Sequence, residues 1–143
     1  MKYVKITTLI ILLATFISGL SSCRKDDEYK HYDVPEWNVA LGNYQVNMTA
    51  VVELPSYIEP YMTDKDQMAA FVNDSCRGVA DIVDRQFFMV IKGNPDEQSK
   101  VTFRYYNARN RYLYEAREYV GFETDLILGN TDNPEVLPLK IKN

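Results

Sequence analysis

Few side chains in this sequence could carry covalent chemistry. It contains two cysteines, Cys23 and Cys76, and one histidine, His31. A nucleophile activated by histidine needs that base beside it, and a histidine-rich metal site needs several imidazoles. One histidine, far in sequence from any candidate nucleophile, provides neither. We therefore predict no catalytic residues, no metal site, no cofactor and no enzymatic activity. A small hydrolase that uses carboxylates alone is the remaining enzymatic alternative.

Two groups of side chains indicate binding instead. Tyr57 and Tyr61 lie in the loop LPSYIEPYMTDKD, where tyrosine offers a flat, amphipathic contact surface to a sugar. Arg104 and Tyr106 are predicted to point outward from a strand and to begin a basic, aromatic patch for an acidic partner. The patch continues with Arg109, Arg111 and Tyr112. Ordinary packing on strands and loops would explain both groups as well.

A third group consists of oxygen ligands in the loop GNTDNPE. Asn130, Asp132 and Glu135 would suit calcium, but their spacing does not match the EF-hand loop. Asx turns before Pro134 explain the same residues more simply.

Cys23 lies between an apolar run and a cluster of charge. Lys2 and Lys5 precede the mostly apolar residues 6–20, which is the layout of a secretory signal. A transmembrane helix needs about 20 apolar residues, and this run is shorter and includes threonine and serine. The sequence therefore predicts a signal peptide over residues 1–22, with a single-pass anchor as the alternative.

The residues before and at Cys23, Leu-Ser-Ser-Cys, resemble the lipobox of bacterial lipoproteins. The resemblance implies that Cys23 is acylated and becomes the first mature residue. Each buried methylene adds about 0.8 kcal/mol, so several acyl chains would hold the protein permanently. We therefore expect the membrane to be a partner through Cys23.

The next five residues resemble the export signal that sends Bacteroidota lipoproteins to the outer face of the outer membrane. They are Arg24, Lys25, Asp26, Asp27 and Glu28. The resemblance implies a lipid-anchored protein of the outer membrane that faces the cell exterior. A solvated, extended tether explains the same charges, and an anchor that faces the periplasm stays open.

Length and charge limit the remaining possibilities. Cleavage before Cys23 leaves 121 residues, enough for a tether over residues 23–36 and one domain over residues 37–143. Removing Lys2 and Lys5 lowers the basic count from 16 to 14 against 20 acidic residues, for a formal charge of −6. Nucleic-acid binding needs a basic stripe, so we expect no such partner. Acylation of Cys23 would leave Cys76 as a lone, buried thiol.

The apolar pattern along the chain indicates strands. The segment YQVNMTAVVEL alternates apolar and polar residues, and in KVTFRYYN residues 101, 103 and 105 are predicted to face inward. Asn73-Asp74 suits a tight hairpin turn. Counting from that turn predicts that Phe71 and Ala69 face Cys76 and Gly78 in the core.

About seven or eight such strands, separated by turns, are typical of an antiparallel sandwich. We predict an all-β fold, an immunoglobulin-like antiparallel β-sandwich, with a small closed barrel as the alternative.

The segments NMTAVVEL, DQMAAFVNDSCRGVA, KVTFRYYNARNRYLYE and GNTDNPEVL resemble a domain of secreted and lipid-anchored Bacteroidota proteins. The similarity covers roughly residues 37–139, and AFVNDSCRGVA is its most specific part. It implies an immunoglobulin-like sandwich in the cell envelope and assigns no site residues.

These expectations together favour a non-enzymatic lipoprotein of the cell surface that binds a glycan or a neighbouring surface protein. The alternative is a structural subunit of an envelope or fimbria-like assembly. Such a subunit would be held by strand addition at a sheet edge, and the terminal segment EVLPLKIKN is the candidate edge.

Overall fold

Alternating apolar residues build two sheets that pack face to face. The computed structural model describes residues 29–143, so the predicted signal peptide, the predicted lipidation site Cys23 and the charged segment 24–28 lie outside the described residues. The strands are β1 Val46–Glu53, β2 Gln67–Val72, β3 Ser75–Val79, β4 Asp81–Val83, β5 Gln86–Gly93, β6 Lys100–Asn107, β7 Tyr112–Ala116, β8 Val120–Gly121, β9 Ile127–Leu128, β10 Glu135–Val136 and β11 Leu139–Ile141. A 3-10 turn, Glu59–Tyr61, lies between β1 and β2.

The strands form a β-sandwich of two sheets. One sheet runs β10-β1-β5-β4, and the other runs β11-β7-β6-β2-β3. The orders β1-β5-β4 and β2-β6-β7 resemble the B-E-D and C-F-G orders of immunoglobulin domains, but the position of strand A beside β1 is taken by β10, which pairs in parallel. The short β9 and β10 pair in parallel with β1, and the other pairings are antiparallel. The predicted antiparallel β-sandwich is therefore confirmed, and the two sheets do not close into a barrel.

Eight strands among the described residues have three or more residues, and three have only two. The prediction of seven or eight strands missed only the two-residue strands, because two residues are too short to show an alternating pattern.

The core lies between the sheets and follows the predicted alternation. Every second residue of the four central strands is buried there, so the apolar face of each strand is turned toward the opposite sheet. These residues are Met48, Ala50 and Val52 of β1, Met68, Ala70 and Val72 of β2, Phe87, Met89 and Ile91 of β5, and Val101, Phe103 and Tyr105 of β6.

The β2–β3 hairpin has the predicted turn. Asn73 and Asp74 have φ angles of 48° and 64°, and Phe71 pairs with Cys76. However, Phe71 and Cys76 lie outside the main core, in a small cluster under Trp37. Cys76 is a free cysteine, only 8% exposed, and burial raises the pKa of its thiol. The face of β2 that points into the main core is therefore the other one, which carries Met68, Ala70 and Val72.

Beyond the Phe71–Cys76 pair the predicted register is wrong. The ladder shifts at a β-bulge, so that Gly78 pairs with Ala70 and not with Ala69. Arg77 is the extra residue on the bulged strand. Counting from the turn assumed an unbroken ladder, and no feature of the local sequence marks the bulge. The shift turns Gly78 toward the opposite sheet, where a Cβ on this residue would lie 2.6 Å from the carbonyl oxygen of Val90.

Arg77, the extra residue of the bulge, forms an ion pair with Glu97. Its Nη2 lies 3.2 Å from Glu97 Oε1, and its guanidinium stacks on the ring of Tyr44. Burial by itself would raise the pKa of Glu97, but hydrogen bonds from Ser99 and the Asn94 N–H, together with Arg77, hold it below the usual carboxyl value. Among the described residues, neither the turn residue Asp74 nor Asp81 forms an ion pair with Arg77. Asp74 instead pairs with Arg104.

The segment before β1 packs along the outer face of the second sheet. The Ala40 N–H donates to the carbonyl of Cys76 at 2.8 Å, and the Tyr32 N–H donates to the carbonyl of Arg111 at 2.8 Å. Residues 29–36, predicted as part of the tether, therefore contact the domain, and the folded unit includes residues before Trp37. No helix in residues 29–143 is long and apolar enough to span a membrane.

Candidate functional site

A groove of about 570 Å³ opens where β7 and β11 meet the loop between β1 and β2. This volume is within the usual range for small-molecule sites. Five of the residues that line it are tyrosines, which come from three separate parts of the chain. The lining consists of Tyr29, Tyr57, Ile58, Tyr61, Asn110, Tyr112, Tyr114, Arg117, Leu139, Lys140, Ile141 and Asn143.

Tyr57 joins the loop to the edge strand β11. Its hydroxyl donates to the carbonyl oxygen of Leu139 at 2.8 Å and accepts from the Leu139 N–H at 3.0 Å. The ring of Tyr57 thus forms one wall of the groove in a fixed position, because two backbone groups of β11 hold its hydroxyl.

A buried polar network also fixes the position of the loop between β1 and β2. The carboxylate of Asp66, 5% exposed, accepts hydrogen bonds from three side chains and two backbone N–H groups. The donors are Thr63 N–H, Thr63 Oγ1, Tyr105 OH, Asn107 Nδ2 and Ala108 N–H. Burial raises the pKa of Tyr105, so its hydroxyl stays protonated and acts as a donor.

Asn107 connects this hydrogen-bond network to the residues of the groove. Its Nδ2 donates to the carbonyl oxygen of Tyr61 at 2.9 Å, and its Oδ1 accepts from the Asn110 N–H at 3.0 Å. Asn110 Nδ2 in turn lies 3.3 Å from the hydroxyl of Tyr114, whose pKa burial raises. The loop and the β6–β7 turn are therefore held in one arrangement on both sides of the groove.

The third side of the groove comes from the segment before β1. The ring of Tyr29 meets that of Tyr112 edge to face, with 5.6 Å between the ring centroids. The ring centroid of His31 lies 5.2 Å from that of Tyr112, and the two ring planes are tilted by 32°. His31 Nδ1 is also 2.9 Å from the carbonyl oxygen of Asn110. These contacts place His31 in an aromatic cluster beside the groove.

Tyr57 and Tyr61, the residues predicted to contact a sugar, line the groove together. Their exposed fractions are 57% and 53%, so both rings are accessible. Tyr112 also lines it, although the sequence grouped that residue with Arg104. Tyr114, Arg117 and Lys140 were not predicted. The alternation of Tyr112 and Tyr114 in β7 is the one signal that they share a face.

Arg104 and Tyr106 do not form the accessible patch that was predicted. Tyr106 does not line the groove and is only 1% exposed, because the segment before β1 covers it and its hydroxyl lies 3.4 Å from the Tyr32 carbonyl oxygen. Arg104 pairs with Asp74 and with Glu115, and its guanidinium lies over the ring of Phe71. This guanidinium therefore already has its partners within the domain.

The loop after β9 forms the predicted Asx turn. Asn130 Oδ1 accepts from the N–H groups of Asp132 and Asn133, at 3.0 and 2.9 Å. No three histidine, cysteine or acidic side chains within residues 29–143 are grouped as metal ligands.

Comparisons with protein-family models, with curated proteins and with solved structures found no match. The resemblance to Bacteroidota domains stays a prediction, and the groove is interpreted from its own residues.

Proposed function

We propose that this protein is a non-enzymatic lipoprotein of the cell envelope, exposed at the outer surface, and that it binds a glycan in the tyrosine-lined groove. The observation that carries the proposal is the convergence of Tyr57, Tyr61 and Tyr112 on one accessible groove. Tyrosine rings have an apolar face and a polar edge, which suits sugar rings that carry C–H groups on one side and hydroxyls around the rim.

Polar groups around these rings supply the second requirement of a sugar site. Asn110 and Asn143 line the groove with the tyrosines, and an asparagine amide carries both donors and acceptors. Ligand sites combine such a mostly apolar wall with a few placed polar groups. The network of Asp66 and Asn107 fixes the loop before the ligand arrives, which lowers the entropic cost of binding.

Acylation of Cys23 would place this groove close to a membrane. Tyr29, which lines the groove, follows Cys23 by six residues. A fully extended chain spans at most about 3.6 Å per residue, so this linker reaches no further than about 22 Å.

The anchor is tested with the two cysteines. We expect Cys23→Ser to abolish incorporation of labelled palmitate and to release the chain from the membrane fraction. The matched control Cys76→Ala should keep both, because Cys76 is buried in the domain. Labelling that persists in the Cys23 variant would contradict the anchor.

Protease treatment of intact cells, with a periplasmic lipoprotein as control, then tests surface exposure, since only exposed chains would be cleaved.

The groove is tested with a pair of equally accessible tyrosines. We expect Tyr61→Ala to weaken retention by a bound polysaccharide about tenfold or more, because truncating a tyrosine hot spot at the centre of a contact costs about 2 kcal/mol or more and about 1.4 kcal/mol is a factor of ten. Tyr119→Ala is the control, since Tyr119 is 55% exposed and does not line the groove. Affinity electrophoresis in gels with neutral and acidic polysaccharides measures retention. Equal loss in both variants would argue against the groove.

A second candidate function is assembly by strand addition at β11. In the β7–β11 ladder the Arg117 N–H donates to the Pro138 carbonyl and the Lys142 N–H donates to the Leu113 carbonyl. Antiparallel ladders alternate bonded and non-bonded pairs, so the peptide groups of Leu139 and Ile141 point away from β7. The hydroxyl of Tyr57 bonds the N–H and the carbonyl of Leu139. The N–H and the carbonyl of Ile141 have no hydrogen-bond partner within residues 29–143. A single free residue is a short edge for strand addition, which is why we favour the glycan.

A further inference from the structure

We infer that the groove takes an uncharged saccharide, and that one of its hydroxyls bonds to both backbone groups of Ile141. This inference rests on the proposed glycan-binding function and names the class of ligand and one of its contacts. Its basis is a free N–H and carbonyl on β11, two residues from a place where a hydroxyl already bonds the same two groups.

The free backbone groups lie on the edge strand β11. In the β7–β11 ladder Leu139 pairs with Ala116 and Ile141 with Tyr114, and the peptide groups of Leu139 and Ile141 point away from β7. Ile141 lines the groove. Its N–H and carbonyl have no hydrogen-bond partner within residues 29–143, so a ligand in the groove can bind them.

The contact between Tyr57 and Leu139 shows which chemical group suits such a pair. One hydroxyl donates to the Leu139 carbonyl at 2.8 Å and accepts from the Leu139 N–H at 3.0 Å. A hydroxyl can do both because it carries one proton and two lone pairs. Ile141 presents the same two groups on the same side of the strand, about 7 Å further along. A second hydroxyl fits there, and each sugar ring carries several.

Other ligand groups suit this position less well. An ionised carboxylate only accepts hydrogen bonds, so it could bond to the Ile141 N–H but would be repelled by the carbonyl oxygen of the same residue. An added peptide strand would need further free groups along β11, and Tyr57 already holds those of Leu139. A single donor and acceptor pair therefore favours a hydroxyl.

The charged residues beside the groove belong to the opposite face of the sheet. Tyr114 lies opposite Ile141, on the face that lines the groove. Glu115 lies opposite Lys140 on the other face, where Lys140 also borders a separate cavity with Glu115. Arg117 follows Glu115 by two residues, so the alternation directs its side chain to that other face as well. No aspartate or glutamate among the described residues lines the groove, which suits an uncharged ligand.

The first test measures hydrogen exchange of single backbone amides by NMR. The full-length chain in detergent is mixed with laminarin, dextran, galactomannan or polygalacturonate, of which the first three are uncharged. A free amide exchanges quickly with water, so a bound hydroxyl should slow exchange at the Ile141 N–H several-fold when a neutral polysaccharide binds. The Leu139 N–H is the internal control, because Tyr57 already holds it.

Proline at position 141 removes the donor without breaking the ladder. β7 does not use the Ile141 N–H, and proline is tolerated on edge strands whose N–H points outward. Ile141→Ala is the matched control, since both substitutions remove the isoleucine side chain but only proline removes the N–H. We expect Ile141→Pro to bind the neutral polysaccharide about three- to tenfold more weakly than Ile141→Ala, as the loss of one neutral hydrogen bond predicts. Added salt should leave this binding unchanged, because no ion pair contributes.

The outcomes separate this inference from the proposed function. Slower exchange at Ile141 together with weaker binding of the proline variant supports the inference. Binding of polygalacturonate alone, unchanged exchange at Ile141 in the bound chain, or equal affinity of the two variants overturns the inference but leaves a glycan site. If the proline variant does not fold, the exchange measurement on the unaltered chain decides. Failure to bind any of the four polysaccharides overturns both the inference and the glycan function.

Discussion

Replacing Asp66 by alanine is expected to lower the free energy of unfolding by about 3–5 kcal/mol. The carboxylate is buried and accepts five hydrogen bonds. Its removal would leave the hydroxyl of Tyr105 and the N–H of Ala108 without their acceptor, whereas the amide of Asn107 would keep the Tyr61 carbonyl oxygen. A buried donor without a partner costs about 1–3 kcal/mol, and relaxation or entering water would recover part of that total.

Asp64→Ala is the matched control for this prediction. Asp64 lies in the same loop, two residues away, and is exposed. We expect it to change stability by less than about 0.5 kcal/mol, as surface substitutions usually do. Urea unfolding followed by tryptophan fluorescence measures both variants. Similar midpoints for the two variants would show that the network around Asp66 contributes little to stability.

The Asp66 variant should also bind polysaccharide more weakly. Asn107, held by Asp66, donates to the carbonyl oxygen of Tyr61 in the groove. Freeing this loop would raise the cost of ordering it on binding. A destabilised variant that is still folded at low temperature, yet keeps full affinity, would separate the network from the site.

Replacing Gly78 by alanine is expected to lower the free energy of unfolding by about 2–3 kcal/mol. A Cβ at this position would lie 2.6 Å from the carbonyl oxygen of Val90, in the facing sheet. Backbone atoms cannot rotate away as a flexible side chain can, so β3 and β5 would have to separate. The close approach of the two sheets therefore depends on the missing side chain.

Gly121→Ala is the control, because a Cβ at Gly121 meets nothing within 4 Å. It should leave stability unchanged or raise it slightly, since alanine restricts the unfolded chain more than glycine does. Thermal unfolding of the two variants under the same conditions gives the comparison. A small effect of Gly78→Ala would mean that the sheets shift at little cost.

The alternating pattern determined the fold class and most of the core. In β1 and β6 every second residue is apolar, and Met48, Ala50, Phe103 and Tyr105 are buried between the sheets as that pattern requires. The hairpin turn at Asn73-Asp74 was also predictable, because these residue types tolerate positive φ. Such signals are local, so they do not depend on which strands become neighbours.

The register beyond the turn was not local in this sense. The bulge at Arg77 shifts the pairing of Gly78 by one residue. The shifted Gly78 then packs closely against the backbone of Val90, which lies in the opposite sheet. Likewise, the burial of Tyr106 depends on a segment more than 70 residues away that crosses the outer face of the sheet. Period-two patterns assign side chains to faces but do not show what covers each face.

The sequence by itself identified an all-β chain, few groups capable of covalent chemistry, and Tyr57 and Tyr61 as accessible aromatic residues. Only the tertiary structure decided that these tyrosines share a groove with Tyr112. The physical reason is that residue type and spacing set local conformation and burial, whereas a binding site needs residues from distant segments at one place. That placement follows from strand order, the edge position of β11 and the Asp66 network, which no short stretch of sequence specifies.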